Sequence, residues 1–267
     1  KALFEIQDGL TIETVLMRYE TRNSLCVSTQ VGCPMGCVFC ATGQMGFTRN
    51  LSRGEILGQI FYFMRQLRAE GQSLTNLVYM GMGEPFLNYE NVMSSIHTMT
   101  DPEKVNFGAR RITISTVGIL SKLEAFTAES SQVNLAVSLH APNNELRSTL
   151  VPANRIFPLP ALITACRKYT SQTHRRITFE YALINGINDS NELALELAEL
   201  LRGMLCHVNL IALNPSKDYP LQGSPHEKVA IFKETLEAHG IPTTIRLRRG
   251  IEINAGCGQL VSAAESV

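Results

Sequence analysis

The segment CPMGCVFC (33–40) places Cys33, Cys37 and Cys40 on one short loop. Thiols gathered this closely usually hold a metal group, and a tetrahedral thiolate site asks for four ligands. The source of the fourth ligand decides the reading. A structural zinc knuckle would need a second CxxC-type pair or a histidine pair, at spacings this chain does not show. Cys26, seven residues upstream, offers one route to a four-cysteine zinc site or a closed iron–sulfur centre. The other route is a four-iron cluster on three protein thiolates, which leaves one iron open to a ligand that is not protein.

Bulk properties narrow the field. With 267 residues, 45% of them hydrophobic and 18% charged, the composition is that of a globular chain able to bury a large core. No apolar run is long enough for a membrane span, so no membrane partner is expected. A net charge of zero neither demands nor excludes a nucleic-acid partner, because a local basic patch would suffice. Seven cysteines, an odd number with three in one loop, argue against a secreted disulfide framework and for a reducing, cytoplasmic setting. The chain opens at Lys1 rather than Met, so a preceding segment is expected to be missing.

Working outward from the loop, short strand-like runs recur: LCVST (25–29), LVYM (77–80), RITIST (111–116), NLAVSL (134–139), RITFEYAL (176–183), VNLIAL (208–213) and TTIRL (243–247). Between most of them lie stretches of helical period, such as 53–69, 159–169, 191–204 and 227–240. This alternation predicts an α/β fold, a partial barrel of parallel strands with outer helices. ALFEIQ and TIETVLMRY around the turn DGL (8–10) predict a β-hairpin before the first unit. The expected organisation is a hairpin extension over 1–22 and the barrel domain over 23–267. Polar, Gly and Pro residues collect after successive strands, as GMGEP (81–85), HAPN (140–143) and NPS (214–216) illustrate. Parallel βα barrels carry their chemistry at that end of the strands.

The C-x3-C-x2-C spacing, with Phe39 before the last cysteine, resembles the radical S-adenosylmethionine superfamily. GMGEP resembles that superfamily's glycine-rich segment. The resemblance implies that S-adenosylmethionine supplies the missing ligand to a [4Fe–4S] cluster on Cys33, Cys37 and Cys40. LCVSTQVGCPMGCVFCATGQMGFTRNL (25–51), GMGEPFLN (81–88), RRITISTVG (110–118), VSLHAPNNELR (137–147), LNP (213–215) and INAGCGQL (253–260) carry it further. In this order they are similar to the RlmN/Cfr family of radical S-adenosylmethionine RNA adenine methyltransferases.

The family resemblance implies a mechanism and a set of site residues. Two molecules of S-adenosylmethionine are used per turnover, one to methylate Cys257 and one as source of a 5′-deoxyadenosyl radical. The radical activates the S-methyl group, which then adds to the base. Glu13 accepts the proton from the attacked carbon, and Cys26 frees the product through a transient disulfide with Cys257. Gly83, Glu84, Ser115, Ser138, Leu139, His140 and Asn214 fall on positions that bind S-adenosylmethionine. The expected substrate is an adenosine of 23S rRNA at the peptidyl-transferase centre, attacked at carbon 2, with an adenosine of tRNA as a second target. The alternative within the family is carbon 8 of the same adenosine, which confers antibiotic resistance. An electron donor such as flavodoxin and a monomeric state are also implied. The family's small N-terminal helical domain is expected to be missing from this chain, in line with its opening at Lys1.

From the residues alone, Cys166 and Cys206 are core thiols. Arg110, Arg111, Arg246, Arg248 and Arg249 are candidate phosphate contacts. One departure from the family pattern is Asn254-Ala255-Gly256, where an Asp followed by two small residues is usual before the carrier cysteine; the acid is lost and one Ala has become Gly. A more flexible loop is expected from it.

Overall fold

The computed structural model describes residues 1–129, 131–214, 220–246, 255–256 and 258–261. Strands β1 (Ala2–Glu5) and β2 (Thr11–Arg18) form the expected antiparallel hairpin. Its turn carries Gly9 at φ +78°, a conformation that costs glycine little. Strand β3 (Asn23–Cys26) pairs antiparallel with β2. The cysteine loop is framed by a separate antiparallel pair, β4 (Gln30–Gly32) and β5 (Phe47–Asn50), with a one-turn helix α1 (Ala41–Gln44) between them. Helix α2 (Arg53–Ala69) then leads to β6 (Asn76–Tyr79), parallel to β3.

From there strand and helix alternate: α3 (Tyr89–Thr100), β7 (Ile112–Thr116), α4 (Leu120–Ala128), β8 (Asn134–Ser138), α5 (Asn144–Leu150), α6 (Leu159–Thr173) and β9 (Ile177–Leu183). Helix α7 (Asn191–Leu201), strand β10 (Cys206–Ala212), helix α8 (His226–Ala238) and strand β11 (Thr243–Ile245) come next. Nine strands make one sheet in the order β1-β2-β3-β6-β7-β8-β9-β10-β11, parallel from β3 onward. The parallel part is the expected partial barrel, with β1 and β11 as the two edges among the described residues.

Sequence and structure differ at three places. The run 25–29 is a strand only as far as Cys26; beyond it the chain bends toward the cysteine loop, held by Val27 N–H to the Val78 carbonyl and Leu51 N–H to the Thr29 carbonyl. The β4/β5 pair has no counterpart in the run pattern, because each of its strands is only three or four residues long. Helices α3, α4 and α5 are also new. The nine and seven residues of α4 and α5 give few turns over which a period can be read, whereas the twelve of α3 do carry a helical spacing of buried residues, Tyr89, Val92, Met93, Ile96 and Met99.

Alternate strand residues face opposite sides. Leu77, Ile112, Ile114, Leu135, Val137, Ile177, Phe179, Val208 and Leu210 are fully buried and join one apolar core with helix residues such as Ile60, Leu123, Leu162 and Leu197. Each such side chain contributes roughly 1.5–3 kcal/mol of burial free energy. Cys166 and Cys206 belong to this core, as the sequence predicts.

Helix α2 starts at a capping box. The Ser52 hydroxyl accepts from Glu55 N–H, and a Glu55 carboxylate oxygen accepts from Ser52 N–H at 2.7 Å. Arg49 of β5 grips the Glu55 carboxylate with both terminal nitrogens (2.8 and 3.0 Å) and gives its Nε–H to Asp8 in the hairpin turn. The cysteine loop's frame is thereby tied to the helix and to the hairpin.

The most consequential tertiary tie is Arg147 of α5, fully buried. Its guanidinium donates to the carbonyls of Val117 (2.7 Å), Ser138 (3.1 Å) and Leu139 (3.1 Å), and to Asn154 Oδ1 (2.8 Å). These carbonyls sit where β7 and β8 end, so one side chain sets the shape of two site loops. Burial lowers its pKa to about 10, which still leaves the group charged at neutral pH. Arg147→Ala strands those acceptors without a donor, and unsatisfied buried groups cost about 1–3 kcal/mol each. The expected loss is about 3 kcal/mol or more in denaturant unfolding; a loss below about 1 kcal/mol would show that water or relaxation replaces the guanidinium.

Candidate active site

The cysteine loop is shaped by close backbone contact. Cys33 N–H donates to the Gly46 carbonyl at 2.7 Å. Gly32 stands at φ +74°, and a Cβ there would collide with that same Gly46 carbonyl. Gln44 Nε2 donates to the Cys37 carbonyl, and Val38 N–H donates to the Leu150 carbonyl of α5. The three thiols line one cavity and influence one another electrostatically. Burial pushes the Cys33 thiol up to about 12 and raises Cys37 as well, so thiolates here need a cationic partner.

No three His, Cys, Asp or Glu side chains among the described residues converge as ligands of a single ion. A four-iron cluster spreads its thiolate ligands over separate irons, so it does not need that convergence. The donor set of three soft thiolates on one pre-shaped loop fits a cluster. Cys26 also lines this cavity but sits on strand β3 rather than on the cysteine loop.

The glycine-rich loop after β6 is pressed onto the segment between β3 and β4. A Cβ on Gly81 would meet the Val27 carbonyl at 2.6 Å, and one on Gly83 (φ +99°) would meet Gln30 Cβ at 2.5 Å. Met82 and Glu84 then donate their N–H groups to Ser28 Oγ and Gln30 Oε1. The Glu84 carboxylate, buried in the cavity wall, accepts from Phe86 N–H (2.9 Å) and Val117 N–H (2.8 Å). Burial nevertheless lifts its pKa to about 7. A buried carboxylate held by backbone N–H groups rather than by a cation is suited to receive an ammonium group.

Opposite it, Ser115 and Ser138 stand side by side on β7 and β8, their hydroxyl oxygens 3.4 Å apart. His140 comes after β8 at φ +62°, its Nδ1 accepting from Ala182 N–H at 3.0 Å. That bond puts the proton of the neutral ring on Nε2, and burial keeps the ring neutral by lowering its pKa to about 3. Phe39 packs edge-on against this imidazole at 4.8 Å between centroids, which links the cysteine loop to the β8 loop. Gly83, Glu84, Ser115, Ser138 and His140 all line the cavity. Leu139 does not; it is buried and contributes its backbone, donating to the Glu180 carbonyl and accepting from Arg147.

The C-terminal segment closes this cavity. Ala41 N–H donates to the Gly258 carbonyl (2.8 Å), and Thr42 Oγ1 donates to the Leu260 carbonyl (2.6 Å). Gly258, at φ +83°, approaches the Phe39 carbonyl so closely that a Cβ would lie 3.1 Å from it. Gly256 abuts the buried Asn214 amide, where a Cβ would collide, so Asn214 supports this segment rather than lining the cavity. Cys257, Asn254, Arg248 and Arg249 lie outside the described residues. Ala255, Gly256 and Gly258 line the cavity that Cys26 lines.

Glu13 is buried on β2, where Val261 N–H donates to Oε2 at 3.0 Å and Lys1 Nζ lies 2.6 Å from Oε1. It does not line the cavity, although Val15 and Met17 on the same face of β2 do. The sequence pattern missed Arg147 and Gln30, which act on the site through backbone hydrogen bonds. It also missed Glu180, which lines the cavity from β9. Single polar residues inside an apolar strand or helix give no periodic signal. Cys26 and Glu84 were found only because they sit in named motifs.

The model of the Radical SAM superfamily matches residues 27–198. The chain is 50% identical over 265 residues to "Dual-specificity RNA methyltransferase RlmN 1" of Myxococcus xanthus, covering 99% of this chain and 74% of that protein. It is 49% identical to "Probable dual-specificity RNA methyltransferase RlmN" of Chloroflexus aurantiacus, covering 97% of this chain and 72% of that protein. The fold superposes on the crystal structure of a radical SAM methyltransferase from Sphaerobacter thermophilus with a TM-score of 0.96. That pair shares 54% identity over 98% of this chain and 76% of the other. The chain thus spans about three quarters of the length of the relatives it matches. Together with the three-thiolate loop and the buried carboxylate facing it, these likenesses show that the chain belongs to the RlmN family of radical S-adenosylmethionine RNA methyltransferases, whose enzymes use a [4Fe–4S] cluster and S-adenosylmethionine.

Proposed function

We propose that this chain methylates carbon 2 of an adenosine in 23S rRNA at the peptidyl-transferase centre, and an adenosine of tRNA as a second target, with Cys257 as the methyl carrier. The observation that carries the mechanistic part is a shared wall. Cys26 and the residues that flank Cys257 line the cavity into which the cysteine loop and Glu84 face.

In this reading Cys33, Cys37 and Cys40 hold the cluster. Glu84 takes the methionyl ammonium, and Ser115, Ser138 and the Nε2–H of His140 offer polar groups for the rest of the cofactor. When bound, cluster and cofactor supply the methyl group and the one-electron chemistry that makes it reactive toward an electron-poor ring carbon. The protein's own steps come from its thiols and one carboxylate. The Cys257 sulfur carries the methyl carbon to the base and stays bonded to it after addition. Glu13 removes the proton from the attacked carbon. The Cys26 thiolate then attacks the Cys257 sulfur and forms a disulfide as the carbon–sulfur bond breaks; that bond's electron pair stays with the methylene carbon, which takes up a proton to become the methyl group of the released base. Gly256 and Gly258 let the residues that flank Cys257 pack closely on Asn214 and Phe39, and the Val261–Glu13 hydrogen bond keeps the Glu13 carboxylate beside that segment.

Mass spectrometry of the peptide containing Cys257, from protein made with intact cluster and S-adenosylmethionine, tests the carrier role. A methyl group on that sulfur is expected, and an unmodified thiol would make the residue structural. Analysis of nucleosides from the modified RNA is expected to give 2-methyladenosine; 8-methyladenosine would move the attack to the other ring.

Cys26→Ala is expected to accumulate a covalent RNA–protein adduct under turnover, visible as a shifted band on denaturing gels. Free methylated product at the wild-type rate would remove Cys26 from the mechanism. Glu84→Gln replaces the ammonium's charge partner with a neutral amide, and charge-assisted hydrogen bonds are worth about 1.5–3 kcal/mol. S-adenosylmethionine affinity of the reconstituted protein is therefore expected to fall about tenfold or more; an unchanged affinity would return Glu84 to a loop-bracing role.

A further inference from the structure

A closed eight-stranded βα barrel fills its interior with branched apolar side chains. This barrel does not. Toward the amino ends of the strands, Ser24, Asn76, Thr113, Asn134, Thr178 and Asn209 line a second cavity, of about 920 Å³. Its wall sets these hydroxyl and amide groups beside Met17, Val78, Met80, Ala136 and Ile245. Around it stand Arg22, Arg110, Arg175, Arg176 and His174, against one carboxylate, Glu180. Part of this basic rim is fixed in place. Arg175 is held by Gln132 and Asn134 through 2.8–3.0 Å hydrogen bonds, and Arg22 lies over the Tyr19 ring at 4.2 Å.

The two cavities meet. Met17, Met80, Glu180 and Arg246 line both, so the lumen runs from the basic mouth to the cysteine and S-adenosylmethionine side. Glu180 is buried at this constriction, in register with Ser138 of β8 and Asn209 of β10. Asn209 Nδ2 donates to Glu180 Oε2 at 2.9 Å, which orients the carboxyl group across the lumen.

We propose that the RNA strand enters by this basic mouth and that Glu180, oriented by Asn209, receives the exocyclic amino group of the target adenine in the constriction. The proposal rests on the RNA-methyltransferase reading above. Enzymes that act on a base take it out of the stack and read its edge with buried polar groups. A guanidinium-lined mouth suits the phosphates of a single strand, and Tyr19 adds a face for stacking. A carboxyl oxygen is the acceptor an amino group needs, and among the described residues of the mouth cavity only Glu180 is a carboxylate. Burial raises its pKa while Arg246 and Asn209 pull the other way, so the group is tuned rather than simply solvated. Held by its amino edge at Glu180, a purine reaches into the cavity that Cys26 lines. Two residues along a strand, Glu180 to Ala182, span about 6.6 Å, close to the length of a purine.

The test is a cycle between one side chain and one substrate group. Fluorescence anisotropy measures binding of a peptidyl-transferase-centre RNA fragment to the full chain, with the target adenosine intact or replaced by purine riboside, which lacks only the amino group. The wild type is expected to prefer adenosine by about tenfold or more. Glu180→Met, matched in length and apolar, is expected to lose the preference. Glu180→Gln keeps an acceptor oxygen and is expected to restore it. A structural role would weaken both RNAs equally and leave the preference in place. Arg22→Ser and Arg176→Ser are each expected to lower the slope of log affinity against log salt by about one.

A wild type that binds RNA without preferring the amino group overturns the Glu180 assignment alone, as does a preference that survives in Glu180→Met. Salt slopes unchanged by both arginine substitutions overturn entry at this mouth. Failure of the wild type to bind either RNA overturns the RNA reading itself, and this proposal with it.

Discussion

Backbone meets backbone, with no side chain between, where Gly81 and Gly83 lie on residues 27–30, and the site depends on that contact. A Cβ at either glycine would overlap Val27 or Gln30. The approach lets Ser28 and Gln30 accept from the loop's own N–H groups, and it leaves Glu84 pointing into the cavity rather than toward solvent. Asn88 continues the same seam, donating to the carbonyls of Thr29 and Leu51. The cysteine loop lies between those last two residues in sequence, so the carboxylate and the thiols are held to one backbone frame. Preorganisation of this kind keeps the cost of ordering out of the binding step.

A second constraint is one-sided packing. Outward-facing strand residues are apolar and locked against the helices, whereas the lumen face mixes small, polar and thiol-bearing residues with apolar ones such as Val15, Met17, Val78 and Ile211. The sheet can then curve without filling its own interior. Every residue that the proposed chemistry needs from the strands uses the inner face: Glu13 on β2, Cys26 on β3, Ser115 and Ser138 on β7 and β8, Glu180 on β9. Stability and chemistry are thus carried by opposite faces of the same strands. Arg147 is the exception that joins them, since its buried guanidinium stabilises the fold by fixing the carbonyls behind the site.

How much of this was legible beforehand differs by element. Each of the seven runs with period-two or continuous apolar character holds a strand, and the four helical periods became helices, because burial on one face enforces the repeat. The β4/β5 pair and helices α4 and α5 were not legible, being short and stabilised by what they pack against. Glu84, His140 and the three thiols stood in motifs of unusual composition. Glu180 did not, being a single charged residue in an otherwise ordinary strand, and Arg147 closes the motif 137–147 without any local sign that its guanidinium is buried. Among the described residues no helix is long and apolar enough to cross a membrane.

The sequence by itself determined the order of strands and helices, the thiol loop and the family, because each rests on local spacing or on motifs that survive in linear order. Only the tertiary structure decided that Glu13 reaches the C-terminal segment through Val261, 248 positions away. The same holds for Asn214, which abuts Gly256 instead of lining the cavity, and for the lumen that runs through the barrel to a basic mouth. Such facts depend on which residues curvature and register bring to one point in space, and no spacing along the chain encodes them.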